Sequence, residues 1–217
     1  LWNSVKTKSG EKNVSLPQRK DYMQTKLEKL ISQYRELGID KQIDYDKFYL
    51  YSLITHSTAI EGSTITELEN QIMFDQGISL KGKSMAELNM NLDLKNAYEN
   101  AVKLANTHAD ISIDLLKDFS ALVMKNTGQE YKTALGAFSS ARGELRLLNV
   151  TTGIGGKSYM NYSKVPAKLS EFCVWLNKER ENYTHKSTIQ LYEISFDAHY
   201  HLATIHPWAD GRNKTSD

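Results

Sequence analysis

Apolar residues recur at intervals of three and four positions through most of the chain, the spacing that places them on one face of an α-helix. The clearest case is residues 19–37, where an apolar stripe ends before Gly38. The stripe consists of Met23, Leu27, Leu30, Ile31, Tyr34 and Leu37. Further helices are predicted over 45–61, 85–107, 112–126, 165–181 and 187–205. Because only three prolines interrupt the chain, a mainly helical fold is predicted.

For two of the early helices, the sequence also predicts burial or end points. The helix over 45–61 is more apolar than the one before it, so we expect it to be more deeply buried. Another helix runs through residues 66–74, where a cap at Ser63 or Thr64 and a stop at Gly77 are predicted.

The helical spacing breaks down over residues 136–162. This segment is rich in glycine, and apolar residues alternate in it with polar ones, as they do along a β-strand. Gly-Ile-Gly-Gly lies between β-prone Asn-Val-Thr-Thr and aromatic Ser-Tyr-Met-Asn-Tyr. The predicted fold class is therefore all-α, with one projecting β-hairpin.

The composition indicates one soluble globular domain. The chain has 217 residues, 40% of them hydrophobic and 24% charged, with a net charge of +1. This near-neutral charge does not favour nucleic acid as a partner. No apolar run approaches the roughly 18 residues of a membrane span, and the first residues lack a signal-peptide core. The lone Cys173 lies among apolar residues, which predicts an inert buried thiol and a cytoplasmic location.

The final twelve residues, HPWADGRNKTSD, contain the candidate chemistry. A residue before proline is pushed out of helical geometry, so the last helix is predicted to end at His206. A helix after the Asp210-Gly211 turn would direct its N-terminal amides towards a phosphate. In such a loop His206 is a candidate general base, and Asp210 is a candidate magnesium ligand. Arg212 and Lys214 are candidate partners for phosphate charge.

Other interpretations of this motif are open on spacing alone. A histidine four residues before an aspartate is more often a structural or surface pair than a site. His199 and His201 lie upstream, but their spacing relative to His206 does not match a usual helical zinc site.

The segment FDAHYHLATIHPWADG resembles the signature region of the Fic family, whose members transfer the AMP of ATP to a protein hydroxyl. The family motif is His-x-Phe-x-(Asp or Glu)-Gly-Asn-(Gly or Lys)-Arg, with a second Arg three residues later. Matching positions are His206, Pro207, Asp210 and Gly211, with Trp208 standing for the Phe.

Two upstream regions extend the resemblance. GELRLLNVTTGIGGKSYMNYSKVPAKLSEFCVWLN is similar to the family's flap hairpin and the helix that follows it. Ser57-Thr-Ala-Ile-Glu61-Gly62 fits the inhibitory motif (Ser or Thr)-x-x-x-Glu-(Gly or Asn) of regulated members. The resemblance divides the chain into an N-terminal segment and helix, 1–40, and a Fic domain, 41–217, that includes an inhibitory helix at about 45–62.

The resemblance implies the chemistry of a protein adenylyltransferase that uses ATP and Mg²⁺. His206 accepts the proton of a Ser, Thr or Tyr hydroxyl of a target protein, and that hydroxyl attacks the α-phosphorus of ATP. Asp210 holds the magnesium. The residues implied to bind the nucleotide are Gly211, Arg212, Asn213 and Lys214.

The resemblance also implies a target-binding flap and a regulatory element. The flap aligns an extended target segment by strand addition, through Thr152, Gly153, Ile154, Gly155 and Gly156. Glu61 acts as a brake that keeps the γ-phosphate out of its productive place, and Ser57 helps to fix its helix. A solvated carboxylate at a helix end is the alternative interpretation of Glu61.

The match to the family motif stops after Gly211. Arg212, Asn213 and Lys214 occupy the positions of Asn-(Gly or Lys)-Arg, and Asp217 occupies that of the second Arg. Lys214 keeps a charge but lacks the two-pronged fork of arginine, and Asp217 would repel Glu61. The domain is therefore expected to be truncated or altered at its C-terminal end. A degenerate family member, an altered sequence and another mode of nucleotide binding are the three alternatives.

The predicted function is adenylylation of a protein hydroxyl, restrained by Glu61. A catalytically silent Fic fold that binds nucleotide or a partner is one alternative, and transfer of another phosphate-containing group is a second. No membrane or nucleic-acid partner is expected. Helix 19–37 is predicted to be either a packed layer of the domain or a homodimer contact.

Overall fold

The computed structural model of the protein describes residues 16–152 and 156–209, with side chains from residue 19 onwards. Its helices are α1 Leu16–Glu36, α2 Tyr45–Ile60, α3 Glu67–Gln76, α4 Met85–Asn106, α5 Ile113–Val123, α6 Val165–Arg180 and α7 Thr188–Ile205. Its strands are β1 Glu130–Thr133 and β2 Gly136–Ser139. The predicted all-α fold is confirmed, and every predicted helix has a counterpart within a few residues of its expected bounds.

Polar caps determine where three of these helices begin. Thr66 and Glu69 form a reciprocal capping box at the start of α3, as Ser84 and Glu87 do at the start of α4. The start of α7 has the same arrangement, with Ser187 as the cap. The cap predicted for α3 at Ser63 or Thr64 was therefore wrong by two to three residues. The predicted stop at Gly77 is confirmed, with φ 66°.

Helix α2 is more buried than α1, as expected, because no described side chain of α1 is fully buried, but little of what α2 buries is apolar. Its buried residues are Ile54, Thr55 and Thr58, of which only the first is a large apolar side chain. Ile60 is 82% exposed at the C-terminal end of α2. Much of the contact between α2 and its neighbours is therefore polar.

The apolar stripe of α1 is only partly covered. Leu27, Ile31 and Tyr34 are half-buried, whereas Met23 and Leu30 remain exposed. The helix contacts α7, and an ion pair joins Lys20 to Glu193 across that contact at 2.7 Å. A homodimer contact through the exposed part of the stripe stays a prediction.

The main apolar core lies between α6 and α7, beneath the end of α7 that leads to His206. The buried residues of this core are Val165, Leu169, Phe172, Cys173 and Ile205. The predicted burial of the Cys173 thiol is confirmed, and burial raises its pKa. A smaller core of Ile65, Met73 and Leu88 joins α3 to α4.

Two antiparallel pairings occur in the described part of the chain. Strands β1 and β2 pair from Glu130 with Ser139 to Thr133 with Gly136. Strand β1 precedes the segment 136–162 in which a hairpin was predicted, and β2 lies at the start of that segment. Within that segment Thr151 pairs with Ser158 in a single antiparallel bridge. No helix in the described ranges is long and apolar enough to cross a membrane.

Candidate active site

His206 lies at the point where α7 ends, as predicted. The helix runs to Ile205, and the backbone of His206 has φ 46° and ψ 67°, the left-handed conformation that few non-glycine residues adopt. Its N–H still donates to the carbonyl of Leu202 at 2.9 Å. The chain therefore leaves the helix at His206 itself, and Pro207 leads into the following loop.

The imidazole of His206 is stacked on the ring of Tyr159. The two ring centroids are 3.9 Å apart and the planes are inclined by 9°. Tyr159 follows the antiparallel bridge of the flap, and its N–H donates to the carbonyl of Val150 at 3.0 Å. The flap therefore supplies one face of the surroundings of the candidate base.

Arg146 joins this flap to the end of α7 and is 1% exposed. Its Nε donates to the carbonyl of His206 at 2.7 Å, and a terminal nitrogen donates to that of Leu148 at 2.7 Å. The other terminal nitrogen donates to the carbonyls of Met160 and, at 3.4 Å, of Ile205. Desolvation lowers the pKa of Arg146.

Sequence reasoning missed Arg146 and Tyr159. The only local signal for Arg146 was one cation within the apolar run Leu-Arg-Leu-Leu. An arginine there has to find acceptors or point to solvent. Nothing in the sequence places Tyr159 next to His206, which is 47 positions away.

His206 borders a cavity of about 530 Å³ between α5, α7 and the loop that follows α7. Its walls are mainly apolar and include Phe119, Val123, Met124 and Trp208. The indole N–H of Trp208 donates to the carbonyl of Gly143 at 3.0 Å, which fixes that ring at the rim. This cavity, called the base cavity below, places His206 beside an open cleft where a substrate can bind.

A second cavity, of about 490 Å³, lies on the other side of the C-terminal end of α5. Its lining includes Ser57, Glu61 and Met90, and it shares Val123 and Met124 with the base cavity. We call it the brake cavity. Residues predicted to be regulatory and the predicted base, far apart in sequence, therefore border two adjoining cavities.

Comparison with known proteins agrees with this arrangement. Residues 110–216 match the sequence model of the Fic/DOC family. Through this segment the chain belongs to the Fic/DOC family.

Curated relatives support the assignment. The chain is 31% identical to the protein adenylyltransferase Fic of Drosophila melanogaster over 166 residues, which cover 75% of the chain and 30% of that relative. It is 27% identical to protein adenylyltransferase fic-1 of Caenorhabditis elegans over 173 residues, or 79% of the chain and 30% of the relative. The chain thus spans under a third of the length of these relatives.

Solved structures show the same fold. Fic-1 of Caenorhabditis elegans superposes with a TM-score of 0.58 at 24% identity, covering 88% of the chain and 52% of that structure. A Fic-domain signaling protein from Bacteroides thetaiotaomicron has a TM-score of 0.64 at 17% identity, covering 85% of the chain and 66% of that structure.

Glu61 follows the last residue of α2 at the edge of the brake cavity. Its N–H donates to the carbonyl of Ala59, and the chain then turns at Gly62, whose φ is 83°. A positive φ favours glycine, which accounts for the residue type in the Ser57-to-Gly62 pattern.

A buried polar network ties the end of α2 to α3 and α4. The Asn91 amide oxygen accepts from Thr58 Oγ1 at 3.0 Å and from Asn70 Nδ2 at 2.9 Å. The Asn91 amide nitrogen donates to Ser63 Oγ at 3.1 Å. Asn70 also donates to Thr55 Oγ1 at 2.8 Å. Two of the residues in this network, Thr58 and Ser63, lie before and after Glu61 in the sequence.

Only the two ends of the Fic flap tip fall within the described residues. Thr152 N–H donates to the carbonyl of Lys157 at 3.1 Å, which continues the antiparallel pairing of the flap. A Cβ at Gly156 would lie 2.3 Å from Thr152 Oγ1 and 3.0 Å from the carbonyl carbon of Thr152, so a side chain there would displace the Thr152 hydroxyl. Gly153, Ile154 and Gly155 lie outside the described residues.

The remaining candidate residues also lie outside the described ranges. They are Asp210, Gly211, Arg212, Asn213, Lys214 and Asp217. Within residues 16–152 and 156–209, no group of three or more His, Cys, Asp and Glu side chains could hold a metal. The predicted magnesium ligand and nucleotide-binding residues of this Fic domain stay predictions.

Proposed function

We propose that the protein is a protein adenylyltransferase that transfers AMP from ATP to a Ser, Thr or Tyr hydroxyl of a target protein. The observation that carries this proposal is the position of His206, which borders one cavity while Glu61 borders the adjoining one. Relatives at 27–31% identity are named protein adenylyltransferases. A shared fold does not by itself imply a shared activity, so the proposal rests on the positions of His206 and Glu61.

His206 is the general base of the proposed reaction. An imidazole nitrogen takes the proton of the target hydroxyl as its oxygen forms a bond to the α-phosphorus. The bond from that phosphorus to the oxygen bridging to the β-phosphate breaks, and pyrophosphate leaves. The stack on Tyr159 limits the imidazole to rotations in one plane, which favours a fixed direction of proton transfer.

Asp210 is the proposed magnesium ligand. A carboxylate is the ligand type that Mg²⁺ takes together with the phosphates of a nucleotide. Asp210 would hold Mg²⁺, which would supply positive charge next to the phosphates. Gly211, Arg212, Asn213 and Lys214 are proposed to hold the phosphates, Arg212 and Lys214 through their charge.

The flap is the proposed docking edge for the target. Its backbone pairing at Thr151 and Ser158 orients an antiparallel ribbon beside His206. An extended target segment that adds to the flap at Thr152 through Gly156 would bring its hydroxyl to the imidazole.

Glu61 is the proposed brake. A carboxylate at the edge of the brake cavity repels the γ-phosphate of ATP, because both carry negative charge. Ser57 lines the same cavity one turn earlier, and the network around Asn91 holds this end of α2 in place.

Incubation with labelled ATP and Mg²⁺ tests the proposal. We expect Glu61→Gly to label protein more strongly than the wild-type chain and Glu61→Gly with His206→Ala to abolish labelling. Glu36→Gly changes another glutamate at a helix end, one that lines neither cavity, and serves as the matched control. Equal labelling of the single and double variants would reject His206 as the base.

The same assay separates the alternatives. If none of the variants transfers AMP, calorimetry with ATP distinguishes a silent nucleotide-binding Fic fold from an interaction module that binds no nucleotide. Replacing ATP with UTP or a phosphocholine donor tests transfer of another group, and labelling by either donor in preference to ATP would overturn the nucleotide assignment.

A further inference from the structure

Arg146 makes hydrogen bonds to three separate parts of the chain. Its guanidinium reaches the C-terminal end of α7 at Ile205 and His206, the adjacent Leu148, and the returning arm of the flap at Met160. Its own N–H donates to the carbonyl of Pro207 at 3.1 Å. All of these acceptors are backbone carbonyls, so the contacts fix the path of the chain rather than a side-chain partner.

The cation is well placed to hold the end of α7. The last carbonyls of a helix lack partners within the helix and carry partial negative charge. Arg146 donates to two such carbonyls, those of Ile205 and His206, in a site almost closed to water. Charge-assisted hydrogen bonds of this kind are the strong ones, and a guanidinium supplies several in a fixed fork.

These bonds hold His206 in a conformation that it would otherwise rarely adopt. A non-glycine residue with φ 46° persists where the surrounding contacts determine its backbone. Arg146 fixes the carbonyl of His206 through its side chain and the next carbonyl, of Pro207, through its main chain. These two peptide groups set the direction of the His206 Cα–Cβ bond, and the stack on Tyr159 sets the plane of the ring.

Arg146 also fixes the ring against which His206 lies. The carbonyl of Met160 accepts from the guanidinium, and Met160 directly follows Tyr159. The position of Tyr159 is therefore set on one side by Val150 and on the other by Arg146. One side chain thus holds both members of the stacked pair.

We propose that Arg146 is a positioning residue that couples the flap to the general base. Through it, displacement of the flap changes the direction of the His206 imidazole, and a target segment paired with the flap stabilises the aligned base. The consequence for turnover rests on the proposed adenylyltransferase activity, whereas the effect on the His206 ring does not.

The decisive variant is Arg146→Lys, with Arg146→Gln beside it. Lysine keeps the positive charge but has no planar fork, so one ammonium cannot serve carbonyls in all these directions. Arg142→Lys is the matched control, because Arg142 lies four residues away, is exposed, and pairs with Glu130 and Glu144. Thermal unfolding, monitored by circular dichroism, establishes which variants fold.

The first readout is the NMR signal of the His206 ring in protein with ¹³C-labelled histidine, assigned by His206→Ala. Stacking on Tyr159 shifts the ring protons upfield, and Tyr159→Leu gives the position without the stack. We expect Arg146→Lys to move the His206 signal most of the way to that position. The signals of His108, which stacks on Tyr183, and of His201, whose ring is tilted against that of Trp175, serve as internal references.

The second readout is the rate of AMP transfer in the Glu61→Gly background. We expect Arg146→Lys to lower kcat by about 10- to 100-fold, the effect of a small misplacement of a catalytic group, with the KM for ATP changed less than about twofold. Arg142→Lys should leave both constants and the His206 signal unchanged.

The outcomes are distinguishable. An unchanged His206 signal in a folded Arg146→Lys protein overturns the proposal, as does failure of both Arg146 variants to fold, which would make Arg146 a residue of stability alone. A shifted signal with unchanged kcat rejects the coupling to catalysis. If no variant transfers AMP, including Glu61→Gly alone, the proposed activity fails and the NMR signal still decides the role of Arg146.

Discussion

The ring of Tyr159 lies parallel to the imidazole of His206 at a centroid distance of 3.9 Å. One ring belongs to the flap and the other to the residue at which α7 ends. The candidate base is therefore held from the side of the protein where a target segment is proposed to dock.

Removing the aromatic ring at position 159 should reduce transfer without preventing nucleotide binding. We expect Tyr159→Leu to lower kcat by about tenfold in the Glu61→Gly background, because the imidazole gains rotational freedom. Tyr159→Phe keeps the ring and should retain most of the rate. Measured kcat and KM values check this, and equal losses in the two variants would assign the effect to the phenolic hydroxyl.

Asn91→Ala should be among the most destabilising single changes to the α2–α4 contact. Asn91 is fully buried and bonds to Thr58, Asn70 and Ser63, so its removal leaves several buried polar groups without partners. We expect the free energy of unfolding to fall by about 2–4 kcal/mol. Urea denaturation measures it, and Asn89→Ala, two positions away in α4, is the control.

Loosening the same network should also weaken the proposed brake. In Asn91→Ala at a temperature where it stays folded, we expect basal transfer to rise relative to the wild type, in the direction of Glu61→Gly. If Asn91→Ala folds and its basal transfer is unchanged, the Asn91 network does not contribute to the brake.

Gly143→Ala should be far more disruptive than Gly77→Ala. Both glycines have φ 66°, but a Cβ at Gly77 meets open space, whereas one at Gly143 would lie 1.9 Å from the carbonyl oxygen of Lys117. The Gly77 change should cost about 1–2 kcal/mol from backbone strain alone. Chemical denaturation measures the free energy of unfolding of both variants. The additional loss in Gly143→Ala gives the cost of the close approach between Gly143 and Lys117.

The Gly143 change should also alter the base cavity. The carbonyl of Gly143 accepts from the Trp208 indole, which lines that cavity. We expect a red shift of tryptophan fluorescence in Gly143→Ala but not in Gly77→Ala, because the displaced ring gains contact with water.

Acid should weaken the contact between the turn that follows α2 and the start of α4 through Glu87. Its carboxylate accepts from the N–H groups and hydroxyls of Thr64 and Ser84, led by the Thr64 N–H, which lower its pKa from the ordinary 4.5 to about 2. A lowered folded pKa stabilises the fold above pH 4.5, and this stabilisation is lost as the pH falls towards 2.

A comparison with Glu87→Gln tests that assignment. The neutral amide cannot titrate, so we expect stability in Glu87→Gln to vary less between pH 5 and pH 2 than in the wild type. Carboxyl ¹³C titration of Glu87 gives the pKa directly. A midpoint near 4.5 would contradict the hydrogen-bonding scheme.

Helix positions were predictable from sequence because they depend on local spacing and local caps. The exception is the start of α3. Ser63 and Thr64 are chemically suited to cap it, but Asn91 and Glu87 of α4 engage them instead. Thr66 becomes the cap, and this choice depends on a helix that lies more than 20 residues further along the chain.

The contacts around His206 could not be predicted from the sequence either, because they also depend on residues that are distant in the chain. Its motif indicated a base, but the partners that orient it are 47 and 60 positions away, at Tyr159 and Arg146. Similarly, the apolar residues of α2 predicted burial, yet the structure holds that helix largely through hydroxyl and amide groups. Periodicity identifies a helix, but the chemistry of its neighbours decides how it is held.

The polar attachment of α2 has a thermodynamic consequence. Ile54 is its one large apolar side chain that is fully buried among the described residues, so moving this helix away from α4 would uncover mostly polar surface. Exposure of apolar surface is what gives unfolding its large heat-capacity change. Displacement of α2 alone would therefore have a smaller heat-capacity change for the area uncovered than displacement of a helix with a buried apolar face, and its enthalpy would vary less with temperature.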